Sequence, residues 1–176
     1  MRIAVAGGGV GGLAAARMLA LRGARVTLFE QADAITEVGA GLQISPNGMK
    51  VIEALGLGAA LREVSVRGMA VALRDGPSGR GVLRMNLARA AGDYLFIHRA
   101  RLIEVLERGA REAGVRVRLG ERREPGGSGP VVAADGLHSA HRAVLNEATP
   151  PFFTGQVAWR AVIQDPGAAP VAEVFM

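Results

Sequence analysis

The sequence predicts an α/β fold: a parallel sheet with helices, together with part of a second, antiparallel sheet. Residues 2–6 form a short apolar run that ends in glycines, as a buried parallel strand does. Residues 11–22 have helical character, and Gly23 is placed to end that helix. Residues 25–29 form a second apolar run. Strand, glycine turn, helix and strand within thirty residues predict a right-handed βαβ unit.

Further strands and helices follow from local pattern. Residues 31–45 lack a period and are rich in glycine, which predicts a loop. Two runs flank the turn sequence at 75–79 and predict a hairpin. The parallel sheet is expected to contain residues 2–6, 25–29, 115–119 and 131–134, and the antiparallel sheet residues 66–74, 80–87 and 154–163. Helices are expected over 46–55, 99–113 and about 138–146.

Composition limits the classes of function. The chain has 176 residues, 49% of them apolar, 21% charged and none of them cysteine. This mix is typical of a globular protein and excludes disulfides, thiolate metal ligands and a cysteine nucleophile. The formal net charge is +5, but the basic residues are spread along the chain and aromatics make up only 4%. We therefore expect neither a nucleic-acid partner nor, since no apolar stretch reaches about 18 residues, a membrane partner, and we expect a cytoplasmic location.

The strongest motif is Gly7-x-Gly9-x-x-Gly12, directly after a predicted strand and at the start of a predicted helix. The first glycine permits a tight turn, the second lets a pyrophosphate approach the backbone, and the third lets helix and strand pack closely. Glu30 lies at the end of the second strand, where a carboxylate accepts hydrogen bonds from ribose hydroxyls. A glycine-rich turn can also occur for steric reasons alone, but the strand before it and the helix after it predict a dinucleotide site. The negative charge of Glu30 disfavours a dinucleotide with a 2′-phosphate, such as NADP.

Four further segments carry a family resemblance. They are Glu37 to Asn47, His98 to Leu102, Ala134 to Arg142, and Trp159-Arg160. With the glycine motif, they resemble the N-terminal portion of the FAD-dependent aromatic-ring hydroxylases of the salicylate, 3-hydroxybenzoate and 6-hydroxynicotinate monooxygenase type. The resemblance implies a Rossmann-like FAD-binding domain, FAD as cofactor, NADH or NADPH as co-substrate, and a small aromatic acid or phenol as substrate. A homo-oligomer is possible in such a family.

The resemblance also implies roles for individual residues. The three motif glycines would hold the FAD pyrophosphate and Glu30 the adenosine ribose. Arg99 would reach the phosphates or the ribityl chain, and Asp135 would lie by the pyrophosphate. Gln43 matches a position near the isoalloxazine and the substrate, where some relatives carry a histidine that serves as base. Because the glutamine amide does not titrate, the catalytic residue is unassigned.

The resemblance further implies a division of the chain. Residues 1–65 and 95–150 would form a discontinuous FAD-binding domain, and 66–94 with 151–176 part of a substrate domain. A second FAD motif of the family is expected further downstream, so the sequence is either a shortened protein or part of a longer chain. The rival hypothesis is a non-catalytic module that binds a dinucleotide or a partner protein.

Other candidate sites have simpler interpretations. His138 and His141 are three residues apart, but nothing is spaced to complete a metal site with them, so no metal is expected. The arginines at 116, 118, 122 and 123 fit the solvated face of a strand and its loop. Trp159-Arg160 fits simple sheet packing.

Overall fold

The computed structural model describes residues 1–35, 40–89, 91–146, 151–159, 161, 163, 167 and 169–176. Ten strands and five helices lie in these residues, with one turn of 3₁₀ helix at Leu87–Arg89. In chain order they are β1 (Arg2–Ala6), α1 (Val10–Leu21), β2 (Arg25–Phe29), β3 (Gly41–Ile44), α2 (Pro46–Ala54), α3 (Gly58–Glu63), β4 (Val66–Arg67), β5 (Ala70–Arg74), β6 (Gly81–Asn86), β7 (Leu95–His98), α4 (Arg99–Glu112), β8 (Arg116–Arg118), β9 (Val131–Ala133), α5 (Ala140–Leu145) and β10 (Val171–Phe175).

The chain packs into two compact units. Unit one comprises Met1–Val38 and Leu102–Arg160, and unit two comprises Gly39–Arg101 and Ala161–Met176. The boundary between them falls inside α4. The division into FAD-binding and substrate domains that the sequence predicts concerns function, and it stays a prediction.

Unit one contains the predicted parallel sheet, which confirms the fold class. Its strand order is β8-β2-β1-β9, and every pair is parallel. One face carries Ile3 and Val5 of β1 beside Val26 and Leu28 of β2, and all four side chains are buried. Helix α1 packs against these two strands. Burial of this apolar face is the main source of stability in the unit, at about 1.5–3 kcal/mol for each large side chain.

Arg17 joins the two long helices of unit one. It is buried on α1, and its Nη1 donates a hydrogen bond to the carbonyl oxygen of Gly109 on α4. A buried guanidinium is costly unless it is hydrogen-bonded, so this contact stabilises the pairing of α1 with α4.

Unit two contains two three-stranded sheets. In the first, β7 lies between β3 and β4 and is antiparallel to both. In the second, β5 lies between β10 and β6, antiparallel to β6 and parallel to β10. The predicted hairpin of β5 and β6 is therefore present.

Three sequence predictions about loops and strands are wrong. The predicted loop over 31–45 contains β3, because Gly41 to Ile44 find a partner strand in β7. The predicted strand over 66–74 is divided between two sheets at Gly68, whose added Cβ would lie 2.9 Å from the Phe96 ring.

The third concerns the strand over 154–163. Residues 154–159 form no strand, while residues 160 and 162 lie outside the described part of the chain. On the side of β5 that does not pair with β6, the neighbouring strand is β10.

Candidate functional site

The glycine motif forms a tight connection between β1 and α1. Gly7 has φ +103°, and a Cβ added there would lie 2.2 Å from the carbonyl oxygen of Ala134. A Cβ on Gly12 would lie 1.9 Å from the carbonyl oxygen of Gly7. Both positions therefore require glycine for steric reasons. Gly9 differs, because no atom lies within 4 Å of its added Cβ.

The amino end of α1 begins at this open position. Gly9 is the N-cap residue, with extended backbone and no side chain that caps the first turn. The first backbone N–H groups of a helix have no partner within the helix, and the helix dipole adds positive charge there. Open space beside such amides suits an anionic group such as a phosphate.

Glu30 lies immediately after β2, as predicted, and its carboxylate faces the glycine turn. Its Oε2 accepts a hydrogen bond of 2.7 Å from the N–H of Gly8, and its Oε1 accepts one of 2.9 Å from the N–H of Ala32. Two backbone donors thus hold the carboxylate in one orientation. Each carboxylate oxygen has a second lone pair, so Glu30 keeps the capacity to accept hydrogen bonds from a ligand hydroxyl.

Asp135 follows β9 and has the most strongly shifted pKa among the described carboxyl groups. Its Oδ1 accepts a 2.6 Å hydrogen bond from Ser139 Oγ, and its Oδ2 accepts one of 3.0 Å from His141 Nδ1. Burial raises the pKa of Asp135, but the hydrogen bonds from Ser139 and His141 outweigh burial and hold the pKa well below its ordinary range. Asp135 is therefore ionised and fixed in orientation at neutral pH.

Ser139 and His141 are the functional contacts that sequence reasoning missed. The sequence pattern suggests His141 as a candidate metal ligand, whereas its side chain is 9% exposed and paired with Asp135. Ser139 is the N-cap of α5 and accepts a 2.9 Å hydrogen bond from the N–H of Arg142. A serine just before a helical segment signals such a cap, but no local signal shows that the first turn of α5 folds back onto Asp135.

A cavity of about 250 Å³ in unit one connects these features. Gly7, Gly9, Glu30 and Asp135 all line it, and Gly12 lies directly beneath the turn. The remaining lining residues include Arg122, Arg123 and His138. The two arginines, expected on a solvated face, thus contribute positive charge to a cavity that also holds two carboxylates.

The other two predicted site residues lie in unit two. Gln43 is on β3, opposite Phe96 in the sheet register, and its Oε1 accepts a 2.8 Å hydrogen bond from Tyr94 Oη. Arg99 is the first residue of α4, and its backbone N–H donates a 2.9 Å hydrogen bond to the Ala40 carbonyl. Gln43 also lines a groove of about 750 Å³.

Two absences apply to the described residues only. Within residues 1–35, 40–89, 91–146 and the described parts of the tail, no three histidine or acidic side chains are placed to hold a metal ion. In the same part of the chain, none of the helices has both the length and the apolar character that crossing a membrane requires.

The fold and the glycine site define a dinucleotide-binding α/β protein. The sequence matches the family described as "FAD binding domain" over residues 1–125. The chain therefore belongs to the FAD-binding domain family, the type of family that the sequence resemblance predicted.

Individual relatives agree with this family. The chain is 33% identical to a 3-amino-4-hydroxybenzoate 2-monooxygenase of Streptomyces platensis, with 92% of this chain and 46% of the relative covered. It is 34% identical to a 6-hydroxynicotinate 3-monooxygenase of Bordetella bronchiseptica, with 94% of this chain and 48% of the relative covered. The chain spans about half the length of these relatives.

A solved structure shows the same fold. It is the tetrameric form of 2-methyl-3-hydroxypyridine-5-carboxylic acid oxygenase, with a TM-score of 0.74 and 26% identity. The match covers 82% of this chain and 42% of that chain. The resemblance to aromatic-ring monooxygenases that the sequence predicts is thus confirmed.

Proposed function

We propose that unit one binds FAD at the glycine cavity, and that the chain supplies the FAD-binding part of a monooxygenase. The reaction would be NADH- or NADPH-dependent hydroxylation of a small aromatic acid or phenol. One observation carries the proposal: the open space at Gly9 lies beside an uncapped helix end, in a cavity that Glu30 and Asp135 also line. This donor set fits a pyrophosphate flanked by sugar hydroxyls.

Each group of the cavity has a distinct binding role. The amides at the start of α1 would donate to the pyrophosphate oxygens, because no side chain competes for them. Glu30, held by the Gly8 and Ala32 amides, would accept from the adenosine ribose hydroxyls. Arg122 and Arg123 would offset the negative charge that the pyrophosphate brings to a cavity already lined by two carboxylates.

Asp135 would orient the ligand from the opposite side of the turn. Its carboxylate is ionised and held by Ser139 and His141, so it accepts hydrogen bonds and does not donate them. It would therefore face a hydroxyl group near the pyrophosphate, since contact with a phosphate oxygen would be repulsive.

The part of the site that would contact the isoalloxazine ring of FAD is proposed from the family resemblance. Arg99 would hold the phosphates or the ribityl chain, and Gln43 would lie near the isoalloxazine. The groove at Gln43 is also lined by Phe96, His98 and Arg101, an aromatic and basic combination that suits an aromatic carboxylate. Bound FAD would supply the redox chemistry, taking reducing equivalents from the nicotinamide and passing one oxygen atom of O₂ to the ring while the other leaves as water.

The relatives support this substrate class. The names of the two relatives described above specify a hydroxybenzoate and a hydroxynicotinate, both small aromatic acids. Gln43 cannot remove a proton, so the substrate must be acidic enough to react as its phenolate or another residue must act as base.

The test is direct. The purified protein is denatured by heat and the supernatant is analysed for flavin, and the cofactor-free protein is then titrated with FAD and, separately, with NAD. We expect FAD in the supernatant and saturable FAD binding that NAD does not reproduce. Absence of flavin together with no saturable FAD binding would contradict the proposal. Phenolic acids that stimulate NADH or NADPH oxidation, with formation of hydroxylated product, would identify the reaction.

A further inference from the structure

The parallel sheet of unit one has a second face, which is not buried as the first is. Its side chains alternate with the buried ones and include Arg2 and Ala4 of β1, Arg25 and Thr27 of β2, and Arg116 of β8. The three arginines are exposed and the two smaller residues are half-buried. Parallel sheets are normally covered on both faces, so this open face is available to bind another segment.

A groove of about 1020 Å³ runs over this face. We call it the arginine groove, because Arg2, Arg25, Arg116 and Arg123 line it. It contains the Arg2, Arg25 and Arg116 side chains, which the glycine cavity does not. The described residues that line it include no aspartate or glutamate.

The placement of the groove arginines lowers the stability of the sheet. Arg2 and Arg25 are direct partners in the register of β1 and β2, so their side chains leave neighbouring strands about 4.8 Å apart. Like charges directly opposite one another destabilise a sheet. Within the described part of the chain, no carboxylate is paired with Arg2, Arg25 or Arg116. An anionic partner would remove this repulsion.

We propose that the arginine groove binds an acidic, extended segment of a partner protein. Arg116 is paired with Thr27, two residues along β2 from Arg25, so the three guanidinium groups are spread over the face. An extended peptide places alternate side chains on one side roughly 6.5–7 Å apart, which lets successive carboxylates reach different arginines. Arginine forms planar, bidentate pairs with carboxylates and is common in protein interfaces.

Other occupants fit less well. A second copy of this chain would bring arginine against arginine, and the chain already carries a net charge of +5. A single-stranded nucleic acid needs aromatic rings for base stacking. Among the described residues that line the groove, Phe29 is the one aromatic residue, and its ring already has the Arg118 guanidinium 5.7 Å from its centroid.

The test uses a fluorescein-labelled peptide of alternating glutamate and serine, followed by fluorescence anisotropy at low and moderate salt. The test variant is Arg2→Glu with Arg25→Glu. The control is Arg80→Glu with Arg84→Glu, two exposed arginines of unit two, which makes the same change in net charge. We expect the dissociation constant to rise at least about tenfold in the test variant and to change little in the control.

Several results would overturn the proposal. They are equal weakening in the two charge-reversed variants, absence of saturable binding, or tighter binding of a single-stranded oligonucleotide that is lost in the same test variant. Arg2→Gln with Arg25→Gln keeps the test valid if charge reversal unfolds the protein. Neither residue lines the glycine cavity, so FAD binding should be retained in both test variants. A failure of FAD binding in the wild type leaves the peptide result interpretable.

Discussion

Glu30 illustrates how the backbone can orient one side chain toward the proposed FAD site. Its carboxylate is oriented by the amides of Gly8 and Ala32, and it lines the glycine cavity at the end of β2. Because the backbone hydrogen bonds set its position, the carboxylate is preorganised for a ligand hydroxyl. Binding then costs little additional ordering of this side chain.

Replacing Glu30 should weaken FAD binding. We expect Glu30→Gln to raise the FAD dissociation constant about tenfold or more, since a charge-assisted hydrogen bond contributes about 1.5–3 kcal/mol. Fluorescence titration with FAD measures the effect. The control is Glu112→Gln on α4, an exposed residue 3.9 Å from Arg108. Equal affinity of both variants would contradict the role of Glu30. Glu37, the first residue of a segment that carries the family resemblance, lies outside the described residues and is not used as the control.

His141 should influence FAD binding only through its hydrogen bond to Asp135. We expect His141→Phe to weaken FAD binding in the wild type, because the Asp135 carboxylate loses one of its two side-chain donors. In an Asp135→Ala background the same replacement should have little further effect. A double-mutant cycle on the FAD dissociation constant gives the coupling directly. Additive effects of the two replacements would show that His141 does not position Asp135.

In the β1–turn–α1 element, two motif glycines are required for steric reasons and one faces open space, where we propose that FAD binds. Gly7 and Gly12 face backbone carbonyls at distances that no Cβ tolerates, whereas Gly9 faces open space. Folding therefore depends on Gly7 and Gly12, whereas Gly9 leaves open space that a ligand can occupy.

Alanine replacements at these glycines should therefore affect two different properties, stability and FAD binding. We expect Gly7→Ala and Gly12→Ala to lower the free energy of unfolding by several kcal/mol, because the backbone must move. Gly9→Ala should lower stability much less, by about 1 kcal/mol at most for the poorer N-cap, but weaken FAD binding, since its methyl group would occupy the space at the start of α1.

Gly11→Ala is the matched control for the glycine series. Its added Cβ also meets nothing within 4 Å, and it lies inside α1, so a small gain in stability is expected. Urea unfolding and FAD titration measure the two properties separately. A Gly9→Ala variant that binds FAD like the wild type would show that the open space is not the phosphate position.

At the scale of the whole molecule, ionised carboxylates make stability dependent on pH. Hydrogen bonds in the folded state lower the pKa of Asp135, and those from Ser78 lower the pKa of Asp75. A carboxyl group with a lowered pKa binds fewer protons when folded than when unfolded. Its stabilisation is present above the ordinary pKa of 3.8 and is lost as the pH falls below that value.

The Asp135→Asn variant should reveal this contribution. We expect it to be less stable than the wild type at pH 7, by about 1–3 kcal/mol. The difference should shrink as the pH falls below about 4, because Asp135 of the unfolded wild-type chain then binds a proton that the folded chain, with its lowered pKa, does not. Urea unfolding between pH 7 and pH 3 measures both curves. A difference that stays constant across this range would contradict the hydrogen-bonded, ionised state of Asp135.

Local sequence pattern was sufficient to predict the secondary structure of the first part of unit one. The runs at 2–6 and 25–29 coincide with β1 and β2, and the glycine motif lies between β1 and α1 as predicted. These features depend on short-range rules: apolar strands bounded by glycine, and a turn that only glycine allows. The positions of Glu30 and Asp135 at the ends of strands follow from the same rules.

Only the tertiary structure decided which distant segments pair. Residues 41–44 become β3 because β7 is available as a partner, and β10 rather than 154–159 pairs with β5. Strand pairing is non-local, so a pattern within one segment does not reveal it. The same holds for the contact between His141 and Asp135 and for the exposed arginines on the second sheet face, since each depends on where α5 and the strands lie in space.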